Sequence, residues 1–149
     1  MAIRLSSGLR TSMVLEHGLE RMMRFGHIRI YTGQQPQSAD NAPSGTFIAR
    51  VSADGLVPVT GQQTGGLRLQ QGSVSGSLDK LGNWQLRGVA NGAAGWWRFV
   101  WNATDDHTES STYPRIDGSV GESLLLDETI ITPSTNIQVN EFFLLLPTQ

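Results

Sequence analysis

Between Gly95 and Trp101 the chain reads GWWRFVW, which places four aromatic rings in seven residues. Aromatic side chains favour pleated, half-buried surfaces and bury large areas, so this run predicts a strand at the centre of a hydrophobic core. Successive residues of a strand face opposite ways. Trp97, Phe99 and Trp101 therefore share one face, read as the core face, and Trp96 and Arg98 point the other way, where Arg98 can stack on an aromatic ring. An outward Trp96 has three uses: further packing, an anchor in a protein interface, or a platform for a sugar or base.

The remainder of the chain after Gly26 is built to match such a strand. Short β-rich runs, broken by Gly, Pro, Asn, Asp and Ser, occur at 27–31, 46–51, 83–89, 115–120, 123–126, 129–132 and 136–146, with one or two weaker strands in 67–81. The last run alternates at Ile137 and Val139 and then becomes nearly all apolar, which predicts a strand that is central or covered. Residues 32–45, TGQQPQSADNAPSG, contain two prolines and are too polar and too long for a hairpin turn; they read as a surface loop. Ahead of the strands, residues 7–25 predict one amphipathic helix, with Ser6 or Ser7 as its N-cap, Leu15, Leu19 and Met22 on one stripe, and Gly26 as its stop. The predicted fold is mainly β, an antiparallel two-sheet sandwich of jelly-roll-like type with one N-terminal α-helix. Residues 1–25 form an arm and helix, and residues 26–149 the sandwich, as a single compact unit.

Composition narrows what such a unit does. The 149 residues contain no Cys, which removes disulfides, thiolate zinc sites and cysteine nucleophiles. A net charge of −2 with 16% charged residues gives no global attraction to nucleic acid or anionic lipid. No run approaches the roughly 20 apolar residues of a membrane helix, so neither nucleic acid nor membrane is expected as a partner. The opening MAIRLSSGLR lacks a continuous apolar stretch and a small-residue cleavage site, so synthesis into a cytoplasm is expected. Charge is nonetheless polarised. Residues 1–30 carry Arg4, Arg10, Arg21, Arg24 and Arg29 against Glu16 and Glu20, whereas residues 101–149 carry eight acids against Arg115 alone. Either this is ordinary solvated charge, or opposite fields meet across a contact. Ten of the eleven basic residues are Arg, a side chain suited to planar, multi-donor interface contacts.

No pattern of catalytic residues emerges. His17, His27 and His107 lie in unrelated settings without metal-ligand spacing. Asp105 to Ser110, DDHTES, gathers three carboxylates and a His on one loop but lacks the alternation and Gly turn of a calcium loop, and reads as a solvated turn. No GxSxG surrounds any Ser, TGQQTGG and NGAAG match no phosphate-binding pattern, and Glu122 with Asp127 reads as an acidic strand end. The expectation is a protein that is not an enzyme, with no cofactor and no metal.

Three colinear blocks carry a resemblance. IRIYTGQQPQSADNAPSGT follows the N-terminal helix, GVANGAAGWWRF runs from Gly88 to Phe99, and RIDGSVG from Arg115 to Gly121 precedes a C-terminal apolar strand ending LLLP. In order and wording they resemble a family of small structural proteins of tailed bacteriophages and prophages, of the head decoration or cement type. The segment after GSVG, ESLLLDETIITPSTN, is more acidic and less Gly-rich than the family pattern. The resemblance implies a virion protein on the capsid surface, made in the bacterial host cytoplasm. It also implies partners in the major capsid protein and in sister copies, as a dimer or trimer. The charge excess and broad apolar face of the N-terminal segment make Arg4, Arg10, Arg21 and Arg24 the expected contact residues, with Trp96 and Arg98 of the aromatic strand. Alternatives are a tail, collar or fibre-associated protein, and a carbohydrate-binding module using Trp96.

Overall fold

The computed structural model describes residues 3–146. Its elements run β1 (Arg4–Leu5), α1 (Ser7–Leu15), α2 (Leu19–Met23), β2 (His27–Tyr31), β3 (Phe47–Ala53), β4 (Arg68–Gln71), β5 (Ser77–Leu81), β6 (Trp84–Gly88), β7 (Gly92–Ala93), β8 (Trp96–Val100), β9 (Arg115–Ser119), β10 (Leu124–Leu125), β11 (Ile130–Ile131), β12 (Asn136–Val139) and β13 (Glu141–Leu145). The protein is mainly β. Its antiparallel strands form a seven-stranded sheet ordered β1-β9-β8-β2-β3-β6-β12, a four-stranded sheet ordered β10-β13-β5-β4, and the pair β11-β7.

Alternation builds the core. Leu86, Val51, Ile28, Phe99 and Ile116 lie opposite one another across β6, β3, β2, β8 and β9, forming a continuous apolar row, and all five are fully buried. Phe142 of β13 reaches this sheet from the smaller one, its ring centroid 5.1 Å from Trp84, 5.2 Å from Trp97 and 6.2 Å from Phe99. These edge-on and tilted rings suit the aromatic quadrupole and tie Phe142 of the smaller sheet to the larger one. Gly118 lies under Trp97, where a Cβ would meet the indole ring.

Two elements depart from the sequence reading. The single helix over 7–25 is instead two short ones, because Gly18, conformationally expensive inside a helix, sits extended at φ −67°, ψ 166° as the N-cap of α2. Ser6 caps α1 by accepting from the Leu9 N–H at 3.1 Å. The break takes Leu15 off the buried stripe; it is 75% exposed and Val14 83%, while Leu9, Leu19 and Met23 are buried. The predicted strand 136–146 is also divided at Asn140. Val139 and Phe142 are both buried but three residues apart, so no single pleat turns both inward. Thus β12 becomes an edge of the larger sheet, and β13 takes an interior place in the smaller.

The N-terminal segment is built into the body. β1 pairs with β9, Arg4 opposite Asp117 and Leu5 opposite Ile116, and the buried Ser6 hydroxyl donates to the Tyr113 carbonyl at 2.7 Å and accepts from the Arg115 N–H at 2.8 Å.

Candidate functional site: an arginine rank across the larger sheet

The outward face of the seven-stranded sheet carries one row of charge. Strand register places Arg87, Arg50, Arg29, Arg98, Asp117 and Arg4 opposite one another in succession across β6, β3, β2, β8, β9 and β1. Strands lie about 4.8 Å apart, so the guanidinium-bearing residues form a continuous rank. Its two halves differ in what covers them.

Over β8 and β9 the rank is sealed. Residues 32–46 cross the sheet as a lid rather than leaving it bare, and their backbone carbonyls supply acceptors. Trp96 Nε1 donates to Ser44 O at 3.2 Å, Arg98 Nη1 to Asn41 O at 2.9 Å, and Arg115 Nη1 to Ala39 O at 3.4 Å. Ser119 Oγ donates to Gln35 Oε1 at 2.9 Å. Trp96 stacks on Tyr31 with centroids 4.6 Å apart, and Arg98 lies 5.3 Å from the Trp96 ring. Trp96 and Arg98, expected on an outward, partner-accessible face, are therefore fully buried. The polar loop buries them by presenting carbonyls and the small Ala39 to the sheet. Trp101, expected in the core row, is half-buried at the strand's end.

Each sealed arginine has its own carboxylate. Arg98 binds Asp117 through Nε and Nη2 at 2.7 and 2.8 Å. Arg115 binds Asp105 at 2.8 and 2.7 Å and donates to Thr108 O at 2.7 Å. Burial pushes the Asp117 carboxyl up from its ordinary value, against the opposing pull of Arg98. Burial raises Asp105 too, but the Arg115 guanidinium and the His107 N–H outweigh it and leave that carboxyl below its usual range. The expected solvated turn at 105–110 is thus tied inward, with Asp106 accepting from Thr108.

Over β2, β3 and β6 the rank is open. Arg29 Nε donates to Tyr31 Oη at 2.8 Å, and its guanidinium lies 3.7 Å from the Phe47 ring centroid. Arg50 lies 5.8 Å from the same ring, and its Nε is buried with no acceptor. Among the described residues no carboxylate pairs with Arg29, Arg50 or Arg87. This uncompensated charge acts on its neighbours: burial and then Arg29 depress Arg50. Burial, Arg50 and Arg29 push His27 down to about 3.

Beside them, His27, Trp101, Asp105 and His107 line a cleft of about 230 Å³. His107, at φ 62°, keeps a buried Nδ1 that makes no hydrogen bond and lies 3.9 Å from Asp105 Oδ1. Burial lowers the His107 imidazole as it does His27, and with Asp105 engaged by Arg115 the cleft has no free carboxylate base. Among the described residues no group of three or more His, Asp or Glu is placed to hold a metal.

The expected contact residues do not form one patch. Arg4 ends the rank, donating through Nη1 to Gln37 O. Arg10 and Arg21 are exposed on α1 and α2, and Arg24 is bidentate to Glu20 at 2.9 and 2.7 Å. Arg29, Arg50, Arg87 and Arg115 were missed as a group. Their trace in sequence is an Arg beside apolar strand residues, in HIRIY, IARVS, QLRG and YPRID, which becomes a rank only once strand register is known. No protein-family model, curated protein or solved structure matches the chain.

Proposed function

We propose that this protein is a non-enzymatic structural component of a tailed-phage particle, decorating and cementing the capsid surface through contacts with the major capsid protein and sister copies. The observation that carries the reading is where the three blocks of the resemblance meet. Residues 28–46 supply most of β2 and the lid, 88–99 supply β7 and most of β8, and 115–121 supply β9. Distant in sequence, they interlock through the Tyr31–Trp96 stack, the Arg98–Asp117 pair and the lid's bonds to Trp96, Arg98 and Ser119. A likeness spread over three segments that build one mutually dependent unit is what a shared structural module produces.

The architecture we propose is a two-sheet sandwich, supported by the aromatic cluster in which Phe142 meets Trp84, Trp97 and Phe99. Its division into seven and four strands is less even than that of an eight-stranded jelly roll. The adhesive surface we favour is the free face of α1, where Val14 and Leu15 stand exposed around a shallow depression shared with Arg10. Apolar residues beside an exposed arginine with no carboxylate suit the centre of a protein contact, and repetition around a shell multiplies modest contacts. A sugar platform at Trp96 loses its basis, since that ring is sealed.

The test is copy number. Particles purified from a host carrying the encoding phage or prophage should contain this chain in hundreds of copies, by quantitative mass spectrometry against the major capsid protein. Tens of copies or fewer would move it to the tail or collar, and absence from particles would end the proposal.

A further inference from the structure

We propose that the open half of the arginine rank is a self-association surface that receives the acidic 126–130 segment of a second copy. Arg29, Arg50 and Arg87 occupy facing positions on adjacent strands, so about 10 Å of sheet presents three guanidinia. Arg87 is exposed, and Arg29 and Arg50 are half-buried around Phe47, itself part-exposed. The same face shows how this protein satisfies an arginine: Arg98 and Arg115 each take a two-point carboxylate. Among the described residues the open arginines have the donors without the acid. Like charge packed this closely is stable chiefly when something anionic neutralises it.

The second copy follows from the chain's own polarity. Of the eight acids in 101–149, Asp105 and Asp117 are consumed internally. Asp127 and Glu128 stand exposed on the connection from β10 to β11, between Leu125 at 38% and Ile130 at 63% exposure. Acid flanked by apolar side chains complements guanidinium flanked by Phe47 and the 43%-exposed Val89. The two surfaces differ, so the contact is either exchanged reciprocally in a two-fold dimer or repeated head-to-tail into a ring or along a lattice. It draws on the adhesive reading only in expecting sister contacts, and it is tested on purified protein without capsids, so the two can fail separately.

The experiment is sedimentation velocity over a concentration series, at about 0.05 and about 0.5 M salt, which changes the screening length severalfold. Wild-type protein should associate at low salt and dissociate at high salt. Arg87→Glu, at an exposed position that leaves folding intact, and Glu128→Arg should each weaken association by about tenfold or more, and combining them should restore it to within about threefold. Arg50→Glu, checked for folding by tryptophan fluorescence, should behave as Arg87→Glu does. Wild-type protein that stays monomeric throughout, association indifferent to either substitution, or no recovery in the combined variant would overturn the proposal. So would a rank that binds heparin or DNA while Arg87→Glu leaves self-association unchanged.

Discussion

Two substitutions in one row of side chains should have opposite effects on stability. Asp117→Ala leaves the Arg98 guanidinium fully buried with Nε and Nη2 unpaired. Removing one partner of a buried pair costs about 3–5 kcal/mol, because the surviving charge has neither solvent nor counter-ion. Arg50→Met, three strands away, removes a half-buried cation that has no carboxylate, leaves one Nε unsatisfied and repels Arg29. Deleting an unsatisfied buried donor returns part of a penalty of about 1–3 kcal/mol while the methionine stem keeps the packing, so this change should be neutral or stabilising by about 1 kcal/mol. Urea unfolding in dilute solution, followed by tryptophan fluorescence, would measure both. In a domain of this size about 1 kcal/mol corresponds to about 2–4 °C, so Asp117→Ala should melt roughly 10 °C lower. The pair Arg98→Met with Asp117→Leu should recover most of the loss, since apolar replacement of a whole buried pair is often neutral. If Asp117→Ala costs under about 1 kcal/mol, or Arg50→Met costs as much as Asp117→Ala, the division of the rank into sealed and open halves is wrong.

Acid should destabilise the fold through His27. Its folded-state value lies near 3, below the ordinary 6.5, so the unfolded chain binds the extra proton. The contribution is therefore intact above pH 6.5 and is lost as pH falls towards 3, by up to about 1.4 kcal/mol per unit; His27→Gln should flatten that slope in a pH series of unfolding curves. Trp97→Ala, at a fully buried ring, should cost about 3–5 kcal/mol in the same assay. Gly118→Ala should cost about 1–3 kcal/mol by driving a methyl into that indole. Val14→Ser with Leu15→Ser should change stability by only about 0.5 kcal/mol yet lower occupancy on purified capsids; unchanged occupancy would remove α1 from the contact.

Local pattern made the strands legible and left their partners obscure. The inward set Trp97 and Phe99, the strands at 27–31 and 115–119, and the Ser6 cap all follow from alternation and capping within a few residues. Burial of Trp96 and Arg98 does not, because the lid that seals them is 50 to 60 residues earlier and looks like an ordinary polar loop. A polar loop can cover a sheet when its carbonyls face inward beside a buried side chain such as Gln35, and one-letter sequence hides carbonyl direction. The break at Gly18 is visible in principle, but the stripe of Leu15, Leu19 and Met22 at helical spacing runs straight across it. The rank itself depends on register across five pairings, which no single strand encodes.

The placement of β1 bears on the order in which the molecule can be assembled. Arg4 and Leu5 lie against Asp117 and Ile116, and Ser6 is held by Tyr113 and Arg115. A ribosome must therefore deliver more than a hundred residues before the first few find their seat. The opening segment, with the buried Leu9 on it, waits unpaired until β9 has been made. A nascent chain halted before Arg115 should leave its beginning open to protease, and one released after Ser119 should not.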